Sequence, residues 1–222
     1  MMRILSIPVL VSLALLSGAD ALGQTAATMV DSVYFSGVSA DGTVACGNST
    51  DGYYTACRWD AIGGLVNLGR SSGEAIGRGG GIPGISDDGN SISSSIISSD
   101  SLVTIGLWTK GVGWTELMPP PPADGGNMDE QYGTAWGITG DGTGVVGLYW
   151  RPEAVWPDGT AHACIGFGTG GVVDLGSRYA NGRANGADFD GDVVVGWTED
   201  PFGTWQPTVW EDGTITVLSE TN

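Results

Sequence analysis

One six-residue phrase occurs four times in this chain: glycine, apolar, short polar, any residue, aspartate, glycine. It reads Gly37-Val38-Ser39-Ala40-Asp41-Gly42 and Gly84-Ile85-Ser86-Asp87-Asp88-Gly89, then Gly137-Ile138-Thr139-Gly140-Asp141-Gly142 and Gly186-Ala187-Asp188-Phe189-Asp190-Gly191. The steps between copies are 47, 53 and 49 residues. A near-constant period of this length is the signature of a repeat architecture. Asp-Gly between extended runs is a hairpin signal, because glycine takes positive φ without steric cost.

More columns align around the phrase. A small residue lies five positions past each Asp-Gly: Gly47, Ser94, Gly147 and Gly196. An aromatic ends a later strand at Trp59, Trp108, Phe167 and Trp210, and a leucine follows at Leu68, Leu117, Leu175 and Leu218. The aromatic and leucine columns are expected to pack between neighbouring units. The leading glycine sits inside a strand, where glycine marks a close backbone approach. Each unit reads as four short strands, over 31–70, 78–118, 131–176 and 180–219. The 39 glycines and the lack of any sustained 3.6-residue apolar period after Gln24 argue for an all-β chain. Four strands in about 50 residues match a propeller blade. The expected fold is a compact four-bladed β-propeller; the alternative is an open array, or half of a larger ring completed by dimerisation.

The first 23 residues read as a signal peptide and 24–222 as a single β-repeat domain. Met1-Met2-Arg3 is a basic start, Ile4 to Leu16 an apolar stretch, and Ala19-Asp20-Ala21 a small-residue cleavage signature. The rival reading, a membrane anchor, needs about 20 apolar residues, and this run is shorter and holds Pro8. The chain is therefore expected to be secreted, periplasmic or at the cell surface. Its net charge of −17, with Lys110 the only lysine, argues against nucleic acid and anionic membranes, which need clustered cations.

The runs Gly84–Gly89 and Asp190-Gly191-Asp192-Val193-Val194-Val195-Gly196-Trp197, with the ending Val173-Asp174-Leu175-Gly176, resemble bacterial extracellular repeats of the HAF type. Ala56-Cys57-Arg58-Trp59 stands where those repeats have Ala-Phe-x-Trp, and Ser93-Ser94-Ser95 departs from their Val-Val-Gly. The resemblance covers roughly Ser36 to Leu218 and implies an exported β-repeat protein without assigned catalytic residues.

Candidate sites follow from residue chemistry. Trp136, Trp150, Trp156, Trp197 and Trp205 fall outside the aromatic column. Exposed indoles stack on sugars and bind small molecules, and Trp150 and Trp156, within the longest internal loop (Tyr149 to His162), are the leading binding candidates. Asp188, Asp190, Asp192 and Glu199 echo the carboxylate spacing of a calcium loop, although Val193 stands at its glycine position; an ordinary Asp-Gly turn is the competing reading. If Asp51-Gly52 is a two-residue turn, Cys46 and Cys57 face each other and can form a disulfide, worth about 3 kcal/mol on a loop-entropy basis. The Pro119–Pro122 run reads as an extended spacer between units. His162 is the only histidine, and no nucleophile elbow, P-loop or Cys-x-x-Cys is present. The expectation is a non-enzymatic binding module for a glycan or protein, with no catalytic residues assigned. The alternative is an extracellular carbohydrate-active enzyme with two converging carboxylates.

Overall fold

A computed structural model describes residues 30–50, 54–71, 81–98, 103–118, 133–153, 156–168, 171–179 and 181–218. The segment 1–23 read as a signal peptide, the residues Asp51 and Gly52, and Pro119–Pro122 lie outside the described residues. The described chain is strand and turn, gathered into four antiparallel sheets of four strands, each a simple meander. The first sheet holds β1 (Val33–Val38), β2 (Val44–Ser49), β3 (Thr55–Asp60) and β4 (Gly64–Ser71). The second holds β5 (Gly84–Ile85), β6 (Ser91–Ile97), β7 (Val103–Thr109) and β8 (Gly113–Leu117). The third holds β9 (Gly133–Ile138), β10 (Gly144–Glu153), β11 (Trp156–Phe167) and β12 (Gly171–Asp174). The fourth holds β13 (Gly182–Ala187), β14 (Val193–Glu199), β15 (Trp205–Glu211) and β16 (Thr214–Val217).

The repeated phrase builds one turn. In the first three sheets a hydroxyl donates to the turn aspartate: Ser39 to Asp41 at 2.7 Å, Ser86 to Asp88 at 2.7 Å, Thr139 to Asp141 at 2.6 Å. The same hydroxyl oxygen accepts the backbone N–H five residues on, from Val44, Ser91 and Gly144. The aspartate in turn accepts the N–H of Thr43, Asn90 or Thr143. The final glycine takes φ of +73°, +70° and +74°, the left-handed region. The fourth turn lacks the hydroxyl, and Asp188 accepts the N–H groups of Gly191 and Val193 itself.

These turns link the sheets. Ala40 N–H donates to Asp87 C=O, Asp87 N–H to Gly140 C=O, and Gly140 N–H to Asp188 C=O, at 2.9, 2.9 and 3.2 Å. The four copies of the phrase thus form one hydrogen-bonded arc along the innermost strands. Two apolar clusters lie between sheets. Ile105, Leu107 and Leu117 of the second pack on Val145, Tyr149 and Cys164 of the third. Val146, Ala163 and Ile165 of the third pack on Ala184, Val194 and Trp210 of the fourth. Trp114 Nε1 donates to Leu68 C=O and Trp210 Nε1 to Gly176 C=O, so each indole bridges to the preceding unit.

The ring is open. Extensive contacts run from the first sheet to the second, the second to the third and the third to the fourth; none of that extent joins the fourth to the first among the described residues. The arrangement is the open alternative to the compact closed propeller.

Two register details correct the sequence reading. Cys46 lies opposite Arg58, and Cys57 opposite Gly47. That is one residue off the pairing the disulfide requires, and a one-residue slip turns side chains to opposite faces of the sheet. All three cysteines are buried. Likewise Trp59, Trp108 and Trp210 face Ala45, Ile92 and Val194, but the third sheet puts Gly166, not Phe167, opposite the equivalent Val145. Phe167 consequently packs from the third sheet toward the fourth.

The small-residue column is enforced by a bulge. β1, β9 and β13 each carry a register irregularity opposite the glycine. A Cβ on Gly47, Gly147 or Gly196 would meet a carbonyl oxygen of that strand at 1.9–2.0 Å. In the second sheet β5 pairs only through Gly84 and Ile85, which leaves room for Ser94.

Candidate binding face

Each sheet has a side turned to the preceding sheet and a side turned to the next. The leading glycines mark the second side. Gly37, Gly84, Gly137 and Gly186 lie opposite Cys46, Ser93, Val146 and Val195. In the first three sheets this position is wholly buried by the next sheet, whereas Val195 is 46% exposed. A Cβ on Gly37 or Gly84 would touch Ile85 or Ile138 of the next sheet, and one on Gly137 would press on Asn185 O at 2.7 Å; on Gly186 it would meet only Val195. The leucine column agrees: Leu117 is 2% exposed and Leu218, in the fourth unit, 49%. The fourth sheet therefore carries an uncovered apolar face.

Aromatic rings dominate that face. Trp197 and Trp205 stack with centroids 4.6 Å apart and planes at 12°. Arg183, paired with Trp197 across β13 and β14, places its guanidinium 5.5 Å from the Trp197 ring and 3.7 Å from that of Trp136 on the third sheet. Trp136 Nε1 is held by the Thr134 hydroxyl at 3.0 Å. The result is a ladder, Trp136–Arg183–Trp197–Trp205, in which cation–π contact and ring stacking fix the geometry. Trp205 ends it in solvent, 62% exposed. Such a ladder can receive an apolar sheet face or the flat face of a sugar ring.

The other predicted site residues do not gather here. Trp150 shares the side of β10 that bears Val146 and Leu148 and is half-buried toward the fourth sheet, its buried Nε1 without an acceptor among the described residues. The Trp156 backbone pairs with Glu153, and its side chain lies outside the described residues. The proposed calcium ligands separate. Glu199 stands at the far end of β14, about 20 Å along the strand from the Asp188–Asp192 turn. Its carboxylate accepts a hydrogen bond from Asn181 Nδ2 at 2.7 Å. The Asp188 carboxylate is committed to its own turn, and among the described residues no three His, Cys, Asp or Glu side chains converge as a metal site would need.

Two further polar arrangements bear on catalysis. Asp174 Oδ2 accepts the Tyr149 hydroxyl and lies 2.9 Å from His162 Nδ1, while His162 Nε2 is 3.0 Å from the Thr160 hydroxyl. The order hydroxyl–imidazole–carboxylate resembles a nucleophile relay. Thr160 is buried, however, so the group is a clasp joining β10, β11 and β12. A cleft of about 410 Å³ beside Arg178, Glu199 and Gln206 also contains Asp200. Asp200 is held below the ordinary carboxylate value, first by the Thr204 N–H; desolvation opposes this, and the Phe202 N–H and Gln206 add to the lowering. Every carboxyl group with a resolved shift among the described residues moves in that direction. A glycosidic general acid needs the opposite.

Val195, Trp197, Trp205 and Arg183 were the harder residues to find by sequence. Trp197 and Trp205 are visible as aromatics outside the column, and Val195 as the apolar residue replacing Cys46 and Ser93 in the repeat. Their shared exposure depends on which side the next sheet would cover.

No protein-family model matches the chain, and no curated protein matches it in sequence. Solved structures do match in fold. TolB from Acinetobacter baumannii aligns with a TM-score of 0.56 at 16% identity, over 84% of this chain and 43% of that one. A putative TolB from Agrobacterium tumefaciens aligns at 0.54 and 19% identity, over 83% and 61%. A puromycin hydrolase aligns at 0.52 and 14% identity, over 81% and 27%. This chain thus spans less than two thirds of each of these proteins, and the likeness shows a β-propeller fold. Among the described residues no helix is long and apolar enough to cross a membrane.

Proposed function

We propose that this chain is an exported, non-enzymatic interaction module of propeller type that takes a protein partner on the uncovered side of its fourth sheet. The observation that carries the reading is Val195, exposed at a position that Cys46, Ser93 and Val146 bury in the other sheets. An apolar sheet face left open beside an aromatic ladder is a docking surface by its chemistry. Export rests on the apolar Ile4–Leu16 stretch and the small residues after it, with the resemblance to HAF-type extracellular repeats in support. The depressed carboxyl groups and the buried Thr160 favour binding over hydrolysis.

Paired affinity capture tests the reading. A partner protein held by the wild-type chain and lost with Trp205→Ala or Val195→Glu supports it. A partner held equally by all three chains contradicts it. A second reading, a glycan ligand, is favoured by the exposed outer ring of Trp205. Glycan-array signal that disappears with Trp205→Ala supports that reading, and an array without signal removes it.

A further inference from the structure

The two ends of the arc carry the two halves of one interface. Within the chain this interface is made three times, always in the same sense. The unit on one side donates a turn N–H and the next accepts with a turn carbonyl: the equivalent one at Asp87 and Gly140, and at the third contact Asp188 and Phe189, which accept from Gly140 and Asp141. At the fourth unit Phe189 N–H has no turn acceptor, and at the first unit Ala40 C=O has no turn donor, among the described residues. The packing is open at the same two places. Gly89, Gly142 and Gly191 each abut the preceding unit, where a Cβ would meet Val44, Ser86 or Ile165 at 2.8 Å; around Gly42 there is no such neighbour. The side of the first sheet that would receive a preceding unit presents Trp59 against Phe35, with Leu65 exposed beside them. The fourth sheet presents Val195, Trp205 and Leu218.

Resting on the reading of the fourth sheet as a docking face, we infer that its occupant is the first sheet of a second copy of this chain, joined head to tail. A like copy carries everything that the internal interfaces use: the Ala40 carbonyl, without a turn donor among the described residues, an open space at Gly42 for the next turn, and an apolar face of Phe35 and Trp59. In the first three units the turn aspartate is held by its own hydroxyl and amide donors. The net charge of −17 on each copy opposes association at low ionic strength, so added salt strengthens the contact. A head-to-tail contact between identical chains closes into a ring or continues as a row, depending on the rotation between copies.

Sedimentation of the purified protein over a range of concentration and salt tests this, with two single variants: Val195→Glu on the fourth sheet and Phe35→Glu on the first. Both positions are exposed; Leu218→Glu substitutes for the first variant if its melting curve shows a damaged fold. The wild-type chain is expected to associate, more strongly in salt. Either variant alone is expected to weaken association at least tenfold. An equimolar mixture of the two is expected to form one-to-one pairs, because one copy keeps its first sheet and the other its fourth. Association that survives in both variants, or a mixture that stays monomeric while the wild type associates, overturns the inference. A wild-type chain that remains monomeric throughout also overturns it. In that case a foreign protein or glycan whose binding is lost with Val195→Glu leaves the docking-face reading standing; binding indifferent to Val195→Glu removes both.

Discussion

The hydroxyl before each Asp-Gly closes the turn through both of its hydrogen-bonding roles, donating to the aspartate and accepting a buried amide. Removing it strands both partners. Thr139→Ala leaves the Gly144 N–H without its acceptor at a fully buried position. The expected loss is about 1–3 kcal/mol, read as a fall in Tm of roughly 2–4 °C for each kcal/mol in a chain of this size. Acid acts on the same turns. The Asp41 carboxyl is lowered first by the Ser39 hydroxyl and then by the Thr43 amide, and Asp88 first by Ser86 and then by the Asn90 amide. At Asp141 burial pushes upward, but the Thr139 and Thr143 donors outweigh it. Asp60 is brought to about 2 by the Gly63 amide, the Arg58 side chain and the Ile62 amide. A carboxyl whose folded pKa lies below its unfolded value stabilises the fold above the unfolded value, about 4. That contribution is lost as pH falls through the folded values. Urea midpoints are therefore expected to be level above about pH 5 and to fall steadily from pH 4 toward pH 2; a midpoint that rises on acidification contradicts this assignment.

At the scale of the sheet, side-chain alternation decides which substitutions matter. Val146 and Val195 hold the same place in β10 and β14, opposite a leading glycine. Val146→Glu puts a charge between the third and fourth sheets and is expected to cost about 3–5 kcal/mol. Val195→Glu puts the same charge in solvent and is expected to change stability by less than about 0.5 kcal/mol. Denaturant titration of the two variants measures the difference, and equal costs would contradict an open fourth sheet. The turns, the four-strand units and the bulge-facing glycines were legible in the sequence, because each rests on local chemistry that repeats. The Cys46–Cys57 pairing and the Phe167 alignment were not. Both depend on register, which was inferred from a presumed two-residue turn in one case and from residue type in the other. A single-residue offset reverses the facing of a side chain without altering the apolar pattern that a reader sees. The spacing read as a calcium loop runs along a strand, which carries Glu199 away from the turn.

At the scale of the whole molecule, the four-strand units stack through equivalent turns without closing on themselves. Sequence repetition reveals the units but is silent on the rotation between them, so ring closure could be read only from the packing. The exposed aromatics of the fourth unit acquire meaning from that openness: in a closed ring Trp197 and Trp205 would be core. The most direct measurement is thiol labelling at the four equivalent positions. In a chain whose other native cysteines are replaced, single cysteines are compared as the native Cys46, Ser93→Cys, Val146→Cys and Val195→Cys, at a dilution where one copy sediments alone. The open stack predicts labelling at position 195 on the order of a hundredfold faster than at the other three, which react only through local opening. Uniformly slow labelling would mean that the fourth sheet is covered within the monomer, and uniformly fast labelling that the sheets do not stack.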